Sequence, residues 1–180
     1  MYPLDPVVRA IIFSGFALLF AFAGSHKLAA RAEFAATLAD YRVLPASLES
    51  AASFLIPGLE GLIAAGLLIR RVGGPASLAG VALLLAYAAA IGLNLLRGRR
   101  QLECGCLGPH SSSVVSAGLV WRNMLMALAL VTAWVIKWST RPMGWLDVGT
   151  VLFALCGLAL VYLAANGLLA IAARRLPQRG

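Results

Sequence analysis

The chain has 180 residues, 61% hydrophobic and 12% charged, with 15 Lys and Arg against 7 Asp and Glu, a formal charge of +8. Soluble domains are about 45–50% apolar and about 25% charged, so this is no ordinary soluble domain, and the long apolar runs exclude a disordered chain. Its 3 cysteines are too few for a disulfide-rich module, and its arginines lie at the edges of apolar runs rather than in a nucleic-acid-binding patch. An all-α, polytopic integral membrane protein in a lipid bilayer is expected.

A bilayer core about 30 Å thick needs roughly 20 apolar residues of helix. The first span starts near Val8, is apolar to Ala23 and reaches 8–27 with its polar end. Ala21 and Ala23 would suit a signal-peptidase site, but the segment before them is barely positive, so the helix is expected to be retained. In the connection that follows, Phe34, Leu38 and Tyr41 recur at helical spacing among Arg31, Glu33 and Asp40. That pattern predicts a short amphipathic helix in the membrane interface, closed by Pro45. The second span, 50–69, holds one acid, Glu60; the third, 75–96, is uncharged. The fourth covers 114–136, and a turn at Pro142-Met143-Gly144 leads to the fifth, 148–173. Trp134, Trp138 and Trp145 read as an aromatic belt. The expectation is one membrane domain over 1–180, with about five transmembrane helices forming a four-helix core and a C-terminal fifth.

Lys and Arg fall more heavily on one set of alternating connections. Lys27, Arg31, Arg42, Arg97, Arg99, Arg100, Arg174, Arg175 and Arg179 outweigh Arg9, Arg70, Arg71, Lys137 and Arg141. The positive-inside rule then places the third connection and the C-terminus in the cytoplasm.

That third connection, 97–113, carries most of the chemistry, because it holds Cys104-Gly105-Cys106. Two thiols one residue apart form a small-ring disulfide only if the chain bends, which Gly105 permits. A strained disulfide is easily reduced, which suits exchange rather than stapling. Arg97, Arg99 and Arg100 favour the reactive thiolate, while Glu103 opposes it. The same stretch allows a second reading, since Cys104, Cys106 and His110 could begin a copper, zinc or mercury site in a carrier. A third is a non-enzymatic scaffold that only docks a partner. Cys156, mid-span in the fifth helix, reads as a small core residue.

Glu60 lies near mid-depth, where an ionised acid is costly and normally faces a partner inside the bundle. His26 and Lys27 are the candidate partners. Glu60 serves either as a packing group, ion-paired or protonated, or in a proton- or quinone-linked role; a quinone is the one cofactor this suggests. Asn94, Arg122 and Asn123 flank the cysteine connection on its membrane side and could orient it.

The residues Gly24-Ser25-His26-Lys27-Leu28, Asp40-Tyr41-Arg42-Val43-Leu44-Pro45 and Ile56-Pro57-Gly58-Leu59-Glu60-Gly61 carry a family resemblance. So do Asn94-Leu95-Leu96-Arg97-Gly98-Arg99, then Cys104-Gly105-Cys106-Leu107-Gly108 and Arg122-Asn123. Over about 8–136 the chain resembles the MauE family of methylamine-utilisation membrane proteins, related to the DoxX-like proteins. Leu107 stands where an aromatic residue is common. The resemblance implies thiol–disulfide exchange through Cys104 and Cys106 with a thioredoxin-like partner. It also implies His26, Lys27 and Glu60 as supporting residues, and the small subunit of methylamine dehydrogenase as the client.

Overall fold

In the computed structural model of the protein, residues 4–69, 71–98 and 116–175 are described. Among them the structure is helical: α1 (Pro6–Ala29), α2 (Arg31–Tyr41), α3 (Ala46–Leu68), α4 (Gly73–Leu96), α5 (Ala117–Val135) and α6 (Trp145–Arg175). All but α2 are long and apolar enough to cross a membrane, which makes this a multi-pass helical membrane protein.

Local chemistry sets the ends of these helices, several of which begin earlier than hydropathy suggests. Asp5 caps α1 by accepting from the Val7 amide at 2.8 Å, with Pro6 supplying a preset φ in the first turn. Pro45 ends the α2–α3 connection in extended backbone, so α3 starts at Ala46 and carries Glu49 in its first turn, where the helix dipole favours an acid. Pro57 lies inside α3 and has no N–H to give the Ser53 carbonyl. Helix α2 stops where Arg42 adopts a left-handed φ of 48°, an uncommon state for a residue with a β-carbon.

Helix α1 packs mainly on α3, α4 on α5, and α3 on α4, giving a four-helix core; α6 rests mainly on α1. The centre is tight. A β-carbon on Gly80 would sit 2.9 Å from Leu130, 3.2 Å from Phe20 and 3.4 Å from Ile63, one neighbour from each of the other three core helices. A β-carbon on Gly66 would meet Ala76 at 2.8 Å, so the absent side chain lets α3 and α4 approach.

Two ends of the bundle can be told apart. At one, Leu4 bridges the α5–α6 connection, donating to the Lys137 carbonyl at 3.0 Å and accepting from the Ser139 amide at 2.8 Å. There Arg141 holds Asp5 (2.9 and 3.0 Å) and Asp147 (2.8 and 3.0 Å), clasping the start of α1 to the start of α6. This end is filled by Phe13, Ala17, Phe20, Ile63, Leu67, Leu84, Leu130 and Ala133. At the other end, α2 folds over the bundle, and its Tyr41 packs against Ile91 and Leu119.

Three expectations change. Phe34 and Tyr41 of α2 are buried against the protein, so this helix caps the bundle instead of presenting these rings to the interface. Cys156 is exposed on α6 and is no core residue, because α6 meets the bundle along little of its surface. In the tryptophan set, Trp138 turns inward, donating its indole N–H to the Ala133 carbonyl at 2.9 Å, whereas Trp145 stays exposed.

Candidate functional site

Among the described residues, the buried polar and charged side chains other than Ser77 lie toward the end of the bundle that α2 covers. Lys27 comes from the last turn of α1, Glu60 from the middle of α3, and Tyr87 from the uncharged run of α4. Side chains on a helix lean toward its N-terminus, so Lys27 reaches back into the bundle rather than out of it. Lys27 and Glu60 are 3% and 1% exposed and form a direct ion pair through Glu60 Oε1.

Tyr87 completes the cluster. Its hydroxyl accepts from Lys27 Nζ at 2.9 Å and donates to the same Glu60 Oε1 at 2.7 Å. The ammonium also lies 4.6 Å from the centroid of the Tyr87 ring and 5.4 Å from that of Phe34, so two aromatic faces flank it. Glu60 Oε2 is buried and has no hydrogen-bond partner among the described residues. The space beside it belongs to Gly24, where a β-carbon would lie 3.6 Å from Oε2 and 3.2 Å from the Glu60 Cβ.

Asn94 and Arg97, in the last turn and cap of α4, hold the end of α2. Asn94 is wholly buried and donates to the Tyr41 carbonyl at 3.2 Å and to the Ala90 carbonyl at 3.0 Å. Arg97 donates to the Arg42 carbonyl at 3.2 Å. The Tyr41 and Arg42 carbonyls, released where α2 terminates, are therefore taken up by Asn94 and Arg97 at the end of α4. Asn123 is buried in α5 and donates to its own Leu119 carbonyl at 2.9 Å. Arg122 places its guanidinium 5.9 Å from the Tyr162 ring centroid on α6.

Of the residues singled out from sequence, the structure joins Lys27 with Glu60 and sets Asn94 and Arg97 on the α2 end. It does not bring His26 to Glu60: that ring stacks on Phe22 at 6.4 Å, so of the two candidate partners only Lys27 meets the acid. Arg99, Cys104, Cys106 and His110 lie outside the described residues. Among the described residues no three His, Cys, Asp or Glu side chains gather as metal ligands. Lys27 and Tyr87 both turn a donor on Glu60 Oε1. Sequence reasoning passed over Tyr87 and read Phe34 only as part of the apolar face of an interfacial helix. A hydroxyl in an otherwise uncharged span, at the depth of an acid on the preceding helix, was the available signal for Tyr87.

Fold and site together define a multi-pass helical membrane protein with an ion pair buried inside its four-helix core. The profile of the methylamine utilisation protein MauE matches residues 6–136. The chain belongs to the MauE family. It is 35% identical to the methylamine utilization protein MauE of Paracoccus denitrificans over 91% of this chain and 88% of the relative. The MauE of Paracoccus versutus is 34% identical over 94% of this chain and 91% of that protein. For the MauE of Methylophilus methylotrophus the figures are 31%, 90% and 86%. No solved structure matches the chain.

Proposed function

We propose that this protein serves methylamine utilisation as a thiol–disulfide exchange protein of the bacterial inner membrane, working through Cys104 and Cys106 with a thioredoxin-like partner. One observation carries the reading: the Cys-Gly-Cys pair lies in the connection that begins at Arg97, in a chain whose relatives are methylamine utilisation proteins. Asn94 and Arg97, the latter opening the cysteine connection, hold the end of α4 on the end of α2.

In the disulfide-forming direction, a partner thiolate attacks one sulfur of the Cys104–Cys106 disulfide. A mixed disulfide forms, and the other cysteine leaves as a thiolate. The partner's second thiolate then attacks the mixed disulfide. It leaves the partner oxidised and both cysteines reduced, so two electrons pass to the pair. The small subunit of methylamine dehydrogenase is the proposed client of the oxidised partner. Exchange with an extracytoplasmic client requires the α2 end to face the periplasm, against the charge bias.

The test is labelling of intact cells with a membrane-impermeant maleimide, before and after mild reductant, read by mass spectrometry. Cys156, on a membrane-spanning helix, is the internal negative. Labelling of Cys104 and Cys106 only after reductant is expected, together with a disulfide-linked adduct to a thioredoxin-like protein in a Cys104→Ser or Cys106→Ser chain. Labelling only in opened membranes and without reductant would overturn this reading and favour the metal-carrier reading with His110.

A further inference from the structure

We propose that Glu60 is a proton-exchange site that opens toward one face of the bundle only, the face covered by α2. The inference stands apart from the cysteine chemistry. It rests on what lies on each side of the Lys27–Glu60–Tyr87 cluster.

The cluster has one acceptor to spare. Glu60 Oε1 takes Lys27 and Tyr87, while the buried Oε2 has no hydrogen-bond partner among the described residues. A static buried ion pair is favourable only when its remaining lone pairs are satisfied. A carboxylate that leaves one oxygen bare in a membrane interior is a group with room for a proton. When a proton from the aqueous phase joins Oε2, Lys27 keeps its own, and the cluster passes from net zero to a single positive charge. The Phe34 and Tyr87 ring faces, 5.4 and 4.6 Å from the ammonium, continue to stabilise that charge. Among the described residues the titratable groups facing Glu60 are Lys27 from α1 and Tyr87 from α4; α2 presents the phenyl ring of Phe34 to the ammonium.

The surroundings are lopsided. From Glu60 toward the Leu4 end, α3 presents Ile63, Ala64 and Leu67 to Phe13, Ala17, Phe20, Leu83 and Leu84, which is dry core. The buried Ser77 in that half turns back on its own Gly73 carbonyl at 2.7 Å. Toward the α2 end, the same buried face of α3 carries Pro57 and Ser53, at i−3 and i−7 from Glu60. Pro57 leaves the Ser53 carbonyl without its helical donor, and Ser53 Oγ donates to the Ser50 carbonyl at 2.7 Å. That row of oxygens covers about 10 Å of helix axis. Hydrogen-bonding oxygens, among them the Ser53 hydroxyl that can relay a proton, thus lie between the acid and one end, and methyl groups close the other.

The test uses the full chain in sealed proteoliposomes of one orientation, fixed by protease access to the connections. Infrared spectroscopy follows the protonated-carboxyl band, and mass spectrometry follows the adduct that dicyclohexylcarbodiimide forms with a protonated carboxyl in an apolar setting. Acidifying the α2 side stepwise is expected to raise the yield of the Glu60 adduct. The same change on the opposite side alone is expected to leave it unaltered. Tyr87→Phe, which removes one donor to Oε1 while keeping the ring, is expected to raise the adduct at neutral pH. The chain with both cysteines replaced by Ser is expected to respond like the wild type, which separates this outcome from that of the thiol reading. An adduct absent at every pH makes Glu60 a fixed structural ion and overturns the proposal. A response to the Leu4 side overturns its direction.

Discussion

Gly24 on α1 faces the main chain of α3 so closely that a β-carbon there would lie 3.0 Å from the Pro57 carbonyl oxygen. The approach places Lys27, one turn further along α1, within reach of Glu60, one turn beyond Pro57. Gly24→Ala is therefore expected to push α1 from α3 and to cost about 1–3 kcal/mol, as other overpacked substitutions do. Thermal unfolding in detergent measures the loss. Gly61→Ala is the control, since nothing lies within 4 Å of a β-carbon there.

The ion pair predicts strong non-additivity. Lys27→Met strands a buried carboxylate and is expected to destabilise by about 3–5 kcal/mol. Adding Glu60→Gln removes the stranded charge and is expected to recover most of that loss. Unfolding of the two single variants and the double variant closes the cycle; simple additivity would show that the two side chains do not interact in the bilayer.

Asn94 anchors the last turn of α2 through the Tyr41 carbonyl. Asn94→Leu keeps the volume roughly constant and removes that donor, leaving a buried carbonyl to find another. A cost of about 1–3 kcal/mol is expected, read as faster amide exchange across 41–45, with 124–134 in α5 as the unaffected reference.

The Arg141 clasp predicts an acid-dependent loosening at the opposite end. Hydrogen bonds from Arg141 and then from the Val7 amide hold the Asp5 carboxyl below its ordinary value near 3.8. A carboxylate lowered in the folded state contributes stability that is complete above its unfolded value and fades as pH falls through the folded one. Proteolysis within 136–144 is therefore expected to be constant near neutral pH and to accelerate only below about pH 4. Asp5→Asn is expected to show the faster cutting already at neutral pH. A rise beginning near pH 6 would point to a histidine instead.

Much of this architecture was legible in sequence because the bilayer imposes it. A membrane-spanning helix needs an unbroken apolar run, and such runs mark α1 and α3 to α6 without reference to packing. The expense of a mid-span acid likewise pointed from Glu60 to the basic end of the first span, where Lys27 waits. What stayed hidden depends on which way a helix is turned. Phe34 and Tyr41 have the spacing of a helix lying on lipid, yet that spacing is equally that of a lid, and only the Asn94 and Arg97 contacts distinguish the two. Cys156 reads like a core residue because α6 is apolar on every side, so periodicity names no inward face. His26 and Lys27 are adjacent in sequence, but successive helical positions point about 100° apart, so one reaches the acid and the other stacks on Phe22.

The attachment of α6 bears on how the molecule is assembled. Helices are made in order, and the four that meet around Gly80, α1, α3, α4 and α5, all precede α6 in the chain. The last helix meets chiefly α1, the first one made, and is fastened there by the Asp5–Arg141–Asp147 clasp. The α1–α6 pairing is therefore the one of longest sequence separation among these helix contacts, and the side chains that enclose the Lys27–Glu60 pair, Phe34 and Tyr87, belong to α2 and α4. The nascent protein can carry its buried charges in place while its final span is still in the ribosomal tunnel.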